Sequence, residues 1–114
     1  MTTVSRSHFE RLVAQAVESV PAVIAPSLAN VAVVIENAPP ESDPDLYGRY
    51  EGQPLNNRSD GGDLPARIVI FMRPLVEDCV DDDELRQEIQ ITVLHEIGRH
   101  LGMDDDQLER LGYG

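Results

Sequence analysis

The sequence predicts an α+β fold made of an N-terminal helix, a small sheet and a long C-terminal helix that carries the functional motif. Three observations lead there. Apolar residues between Phe9 and Val20 recur at helical spacing. Two runs rich in β-branched residues, at 31–35 and 67–72, are closed by proline-containing segments. From about Asp81 an apolar stripe then steps by four residues as far as Leu101.

The first helix opens at Ser7-His8-Phe9-Glu10, which fits a capping box: the serine hydroxyl and the glutamate carboxylate satisfy free amides of the first turn. Phe9, Leu12, Val13, Ala16, Val17 and Val20 form its core face, and Pro21 ends it. His8, in the first turn, reads as an exposed polar residue. Val31 to Ile35 reads as a buried strand, followed at Asn37-Ala38-Pro39-Pro40 by a loop whose residues 39–45 hold three prolines and three acids. Leu46 to Glu51 suggests a second strand, and Asn56 to Asp63 a polar turn. Arg67 to Met72 is the clearest strand in the chain, stopped by Pro74. The long helix begins near Asp81 with acids in its first turn, where the helix dipole favours them. Leu85, Ile89, Val93, Leu94, Ile97 and Leu101 are its buried stripe, and Gly102 is its stop. A short helix from Asp105 to Leu111 closes the domain.

At 114 residues, with 41% hydrophobic and 26% charged residues, the chain has the size and composition of one globular domain spanning 1–114. A net charge of −12 speaks against a nucleic-acid or anionic-membrane surface. The single cysteine, Cys79, excludes an intrachain disulfide and cannot by itself build a thiolate zinc cluster. It precedes the long helix without a basic neighbour and reads as an inert small hydrophobe. Without an apolar signal segment or membrane span in the sequence, a cytoplasmic protein is expected.

The chemistry lies between residues 92 and 106. His95-Glu96-Ile97-Gly98-Arg99-His100 nearly reproduces the His-Glu-x-x-His helix of zinc hydrolases, in which two histidines four apart lie about 40° from each other and share a metal. Glutamate after the first histidine is then the general base on the metal-bound water. Here the fourth residue on is Arg99, and the histidine follows one step later, about 140° around the helix from His95. A longer pattern, with a glycine turn and a third ligand, places Gly102 on the glycine and Asp105 on the third ligand. The candidate residues are therefore Glu96 as catalytic base, and His95, Asp105 and His100 as zinc ligands.

These residues carry a family resemblance. The segment His95 to Asp106 resembles the motif His-Glu-Ile-x-His-His-Phe-Gly-x-Asp-Asp-Asp of short bacterial zincin-like (minimal metallopeptidase) proteins, and the likeness extends over nearly the whole chain. His100 is then the second of the family's paired histidines, and Arg99 stands in place of the first. The resemblance implies a zincin-like α+β fold, a peptidase-type activity, and a strand edge able to hold an extended peptide by main-chain pairing. Arg67–Met72 is the expected edge.

Arginine stays protonated and has no lone pair for zinc. Three readings follow for a zinc-dependent metallopeptidase motif so altered. Arg99 replaces the metal's charge, bonded to Asp105 or Glu96, and the protein binds peptides or proteins without catalysis. Alternatively a π-bulge between 95 and 100, or an acid from another segment, restores a metal site for hydrolysis. In the third reading, a partner subunit or substrate completes the site.

Overall fold

In a computed structural model, residues 3–52 and 66–110 are described. In chain order they form α1 (Arg6–Glu18), a 3₁₀ turn (Ala25–Leu28), β1 (Val31–Glu36), β2 (Gly48–Glu51), β3 (Ala66–Phe71), α2 (Met72–Asp78), α3 (Asp82–Leu101) and α4 (Asp105–Arg110). Helices and a small sheet are thus combined in an α+β arrangement. None of the described helices is long and apolar enough to cross a membrane.

The sheet is mixed, in the order β1-β3-β2, with β1 parallel and β2 antiparallel to β3. Its central strand is the most fully buried of the three. Ile68, Val69, Ile70 and Phe71 are all fully buried, as expected for a strand covered on both faces. Ile68 and Ile70 join the core formed by Phe9, Leu12, Val13 and Ala16 of α1 and Leu85, Ile89, Val93 and Ile97 of α3. On the opposite face, the Arg49 guanidinium lies 5.9 Å from the centre of the Phe71 ring. Glu51 there bridges Arg49 and Arg67, accepting hydrogen bonds of 3.0 and 2.8 Å from their Nε atoms.

The central position of β3 corrects the expectation that Arg67–Met72 offers a free edge: both sides of that strand are occupied. Among the described residues the edges are β1 and β2. Part of the β1 edge is met from within the chain, where Arg6 Nη2 donates to the Ile35 carbonyl at 2.6 Å.

Local rules account for the element boundaries, with two corrections. Helix α1 is capped by Ser5, not Ser7: the Ser5 hydroxyl accepts from the His8 amide at 3.1 Å. His8 also has a tertiary role, its Nε2 lying 2.6 Å from Asp82 Oδ1, which ties the start of α1 to the start of α3. Pro74 does not terminate structure after β3. It sits in the first turn of α2, where an amide hydrogen has no helical partner to lose, so strand passes directly into helix. The expected turn at 56–63 lies outside the described residues.

Helix α3 starts at the N-cap Asp81, whose side chain accepts from the Glu84 amide, with Asp82, Asp83 and Glu84 in the first turn. It stops at Gly102, which is left-handed at φ 72°. The Gly102 amide donates to the Arg99 carbonyl and the Met103 amide to that of Gly98, the paired bonds of a Schellman turn. This turn directs the chain into α4, which begins at Asp105.

Candidate functional site

The last turns of α3 present two faces to two environments. Between residues 82 and 101 the helix is α-helical without a π segment, so residues 95, 99 and 100 hold their ideal angular relations. His95 and Arg99 lie on the exposed side, Arg99 with 65% of its side chain accessible. His100 falls on the opposite side and is 1% exposed.

His100 is fixed there through both ring nitrogens. Nδ1 lies 2.7 Å from the Tyr50 hydroxyl and Nε2 lies 3.1 Å from the Ser27 carbonyl. Because a carbonyl only accepts, Nε2 carries the proton and Nδ1 accepts from the tyrosine. The imidazole thereby joins β2 and the 3₁₀ turn to the end of α3. The structure separates His100 from His95 rather than bringing the two to a common metal, since the regular helix points them apart and the core engages both nitrogens of His100.

Glu96 is drawn inward by the sheet. Gly48 of β2 faces the Thr92–Glu96 turn so closely that a Cβ there would lie 2.8 Å from Thr92 Cγ2 and 3.3 Å from Glu96 Cγ. With no side chain in between, strand and helix nearly touch, and Glu96 is 4% exposed. Its Oε1 is buried and has no hydrogen-bond partner among the described residues. The nearest cation is Arg99, whose Nε stands 3.8 Å away, too far for a hydrogen bond. Burial pushes the Glu96 carboxyl above its ordinary value of 4.5, while Arg99 and His95 pull in the other direction.

A cleft of about 380 Å³ opens along this face. The helix contributes Glu88, Ile91, Thr92, His95, Glu96 and Arg99; Gly48 and the loop before it, through Asp43, Asp45, Leu46 and Tyr47, supply the rest. Tyr47 donates its hydroxyl to the Asp78 carboxylate, and that bond, with some burial, holds the phenol protonated well above the usual tyrosine range. Cys79 is buried as expected, its thiol pushed up to about 11 by burial and by nearby Glu84, Glu88 and Asp78.

Three of the sequence-derived residues, His95, Glu96 and Arg99, thus share one cleft, and His100 lies outside it. Asp105 opens α4, three residues beyond the Gly102 turn. Among the described residues, no three His, Cys, Asp or Glu side chains come together to hold a metal ion. The donor chemistry agrees with this: the position four residues after His95 holds a guanidinium. Arg99 there offers zinc no lone pair, and the side chain of Asp105 lies outside the described residues.

Sequence reasoning missed Gly48. A signal was present, because a lone glycine within the strand-like run Leu46 to Glu51 marks a close backbone approach. Nothing in the sequence assigned Asp43 or Asp45 to the cleft.

Comparison with known proteins bears on this geometry. A family model described as zincin-like metallopeptidase matches residues 28–114. A solved structure of a conserved hypothetical protein from Thermus thermophilus has the same fold, with a TM-score of 0.61 and 24% identity over 93% of this chain and 99% of that one. No curated protein matches the chain.

Three outcomes are expected from this geometry. His100→Ala should lower stability by about 2–4 kcal/mol in urea denaturation, since it leaves a cavity and removes the hydrogen bonds to the Tyr50 hydroxyl and the Ser27 carbonyl. Gly48→Ala should destabilise by roughly 1–3 kcal/mol through overpacking against Thr92; adding Thr92→Ser, which removes the clashing methyl, should recover part of the loss. Glu96→Gln removes a carboxyl that holds its proton more tightly folded than unfolded. Relative to that variant, wild-type stability is fully present below pH 4.5 and declines as pH rises through the raised folded value. Urea midpoints of both proteins from about pH 4 to about pH 8 should diverge in that sense.

Proposed function

Because the chain belongs to the zincin-like metallopeptidase family, we propose that it is a member in which peptide or protein binding has outlived zinc chemistry. In this reading Arg99 supplies, at the second ligand position, the positive charge that a metal would bring. The observation that carries it is the pairing of an arginine at that position with the buried Glu96, while the adjacent His100 is engaged in the core.

The arrangement can bind in two ways. Among the described residues β2 is paired on one side only, and an edge strand beside a cleft can take an extended peptide by main-chain hydrogen bonds. The cleft beside it presents carboxylates, a guanidinium and an imidazole for the peptide's side chains or termini. The glutamate that would act as base in a hydrolase is here a buried acceptor held near Arg99.

One feature favours a second reading, that of a hydrolase with altered ligands. Glu96 keeps the burial and upward-shifted proton affinity that suit a general base. In that case His95 and Asp105 would need a further donor.

Elemental mass spectrometry on protein purified without chelator separates the two. The binding reading expects far less than one equivalent of zinc, even after dialysis against excess metal. Near-stoichiometric zinc in the wild type would overturn it. Arg99→His should raise zinc affinity by at least roughly tenfold, the lower end of what a metal-site interaction is worth, as read by competition with a zinc-responsive dye. An Arg99→His variant that binds no better than wild type would mean that position 99 is not the second ligand position.

A further inference from the structure

The cleft that carries the proposed binding role has an unbalanced charge. Asp43 and Asp45 reach it from the loop, and Glu88 and Glu96 from α3, against Arg99 as the one arginine among the described residues lining it. Asp43, Asp45 and Glu88 have no ion-pair partner among the described residues. Acids on the surface of a chain with net charge −12 indicate little by themselves.

The second observation is Glu96. Its side chain is almost wholly buried in the cleft wall, and Oε1 lacks a hydrogen-bond donor among the described residues. A carboxylate oxygen so placed is a standing acceptor, and an entering N–H group on a cation satisfies it better than a guanidinium 3.8 Å away. The third is apolar. Ile91, 44% exposed, lies on the same cleft as Leu46 and Thr92. Carboxylates beside exposed aliphatic surface match a side chain with a hydrocarbon stem and a charged head.

We propose that this cleft is a selectivity pocket for a lysine or arginine side chain of an extended peptide. The stem lies along Ile91 and Leu46, and the charged head enters among Asp45, Glu88 and Glu96. The inference rests on the peptide-binding reading above and adds to it the class of peptide that is bound.

Fluorescence anisotropy with the full chain tests it, using end-capped, fluorescein-labelled alanine hexapeptides that carry one lysine, arginine, norleucine or glutamate. Norleucine keeps the stem and removes the charge. The lysine and arginine peptides should bind roughly tenfold more tightly than the norleucine peptide, the expected worth of a charge-assisted hydrogen bond, and the glutamate peptide most weakly. Asp45→Asn combined with Glu88→Gln should erase most of that preference. Asp83→Asn, which removes an exposed acid outside the cleft, should leave it intact.

Equal binding of the lysine and norleucine peptides overturns the pocket and leaves peptide binding standing. A preference that survives Asp45→Asn with Glu88→Gln, or that falls equally with Asp83→Asn, overturns the pocket in favour of general attraction to an acidic chain. If none of the four peptides binds, the peptide-binding reading itself fails.

Discussion

The close approach of β2 to α3 at Gly48 is the constraint on which the cleft depends. A helix packed on a sheet normally keeps a layer of side chains between the two backbones. Here that layer is missing at one point, where any Cβ would press on Thr92 and on the stem of Glu96. The carboxyl of Glu96 is thereby held out of water, and Oε1 is left without a donor among the described residues. The same strand places Tyr50 where its hydroxyl reaches His100, so one four-residue strand sets the environment of both residues.

Much of the fold was legible because it obeys short-range periodicity. Leu85, Ile89, Val93 and Ile97 recur with the helical period and are buried accordingly. The same period sets His100 about 140° around the helix from His95, and the structure buries His100 while His95 and Arg99 stay exposed. Features that failed depend on contacts distant in sequence or on near-equivalent local choices. Ser5 and Ser7 are both competent caps, and only the helix start decides between them. Pro74 reads equally as a strand stop and as a first-turn residue. Which strand takes the centre of a sheet follows from tertiary pairing: β1 and β3 each hold five apolar residues of six, so composition alone does not tell centre from edge.

The site was legible in its chemistry but less so in its burial. Glu96 lies about 100° from His95 on a helical wheel, which puts it at the flank of the polar face. Nothing about the helix alone says that a strand will cover that flank. Its burial belongs to Gly48, which is far away in sequence, and its electrostatic setting to Arg99, which is local. Family membership agrees with the fold read from the motif, and the residue at position 99 is where this chain departs from the zinc-binding pattern.

Residues 99 and 100 are neighbours in sequence and strangers in their obligations. One imidazole is bound at both nitrogens inside the core, while the guanidinium beside it extends into solvent. Folding therefore constrains position 100 tightly and position 99 hardly at all. A ligand position that bears so little of the fold can be lost without unfolding the protein, and it can be regained as easily, since the genetic code sets histidine and arginine one base apart.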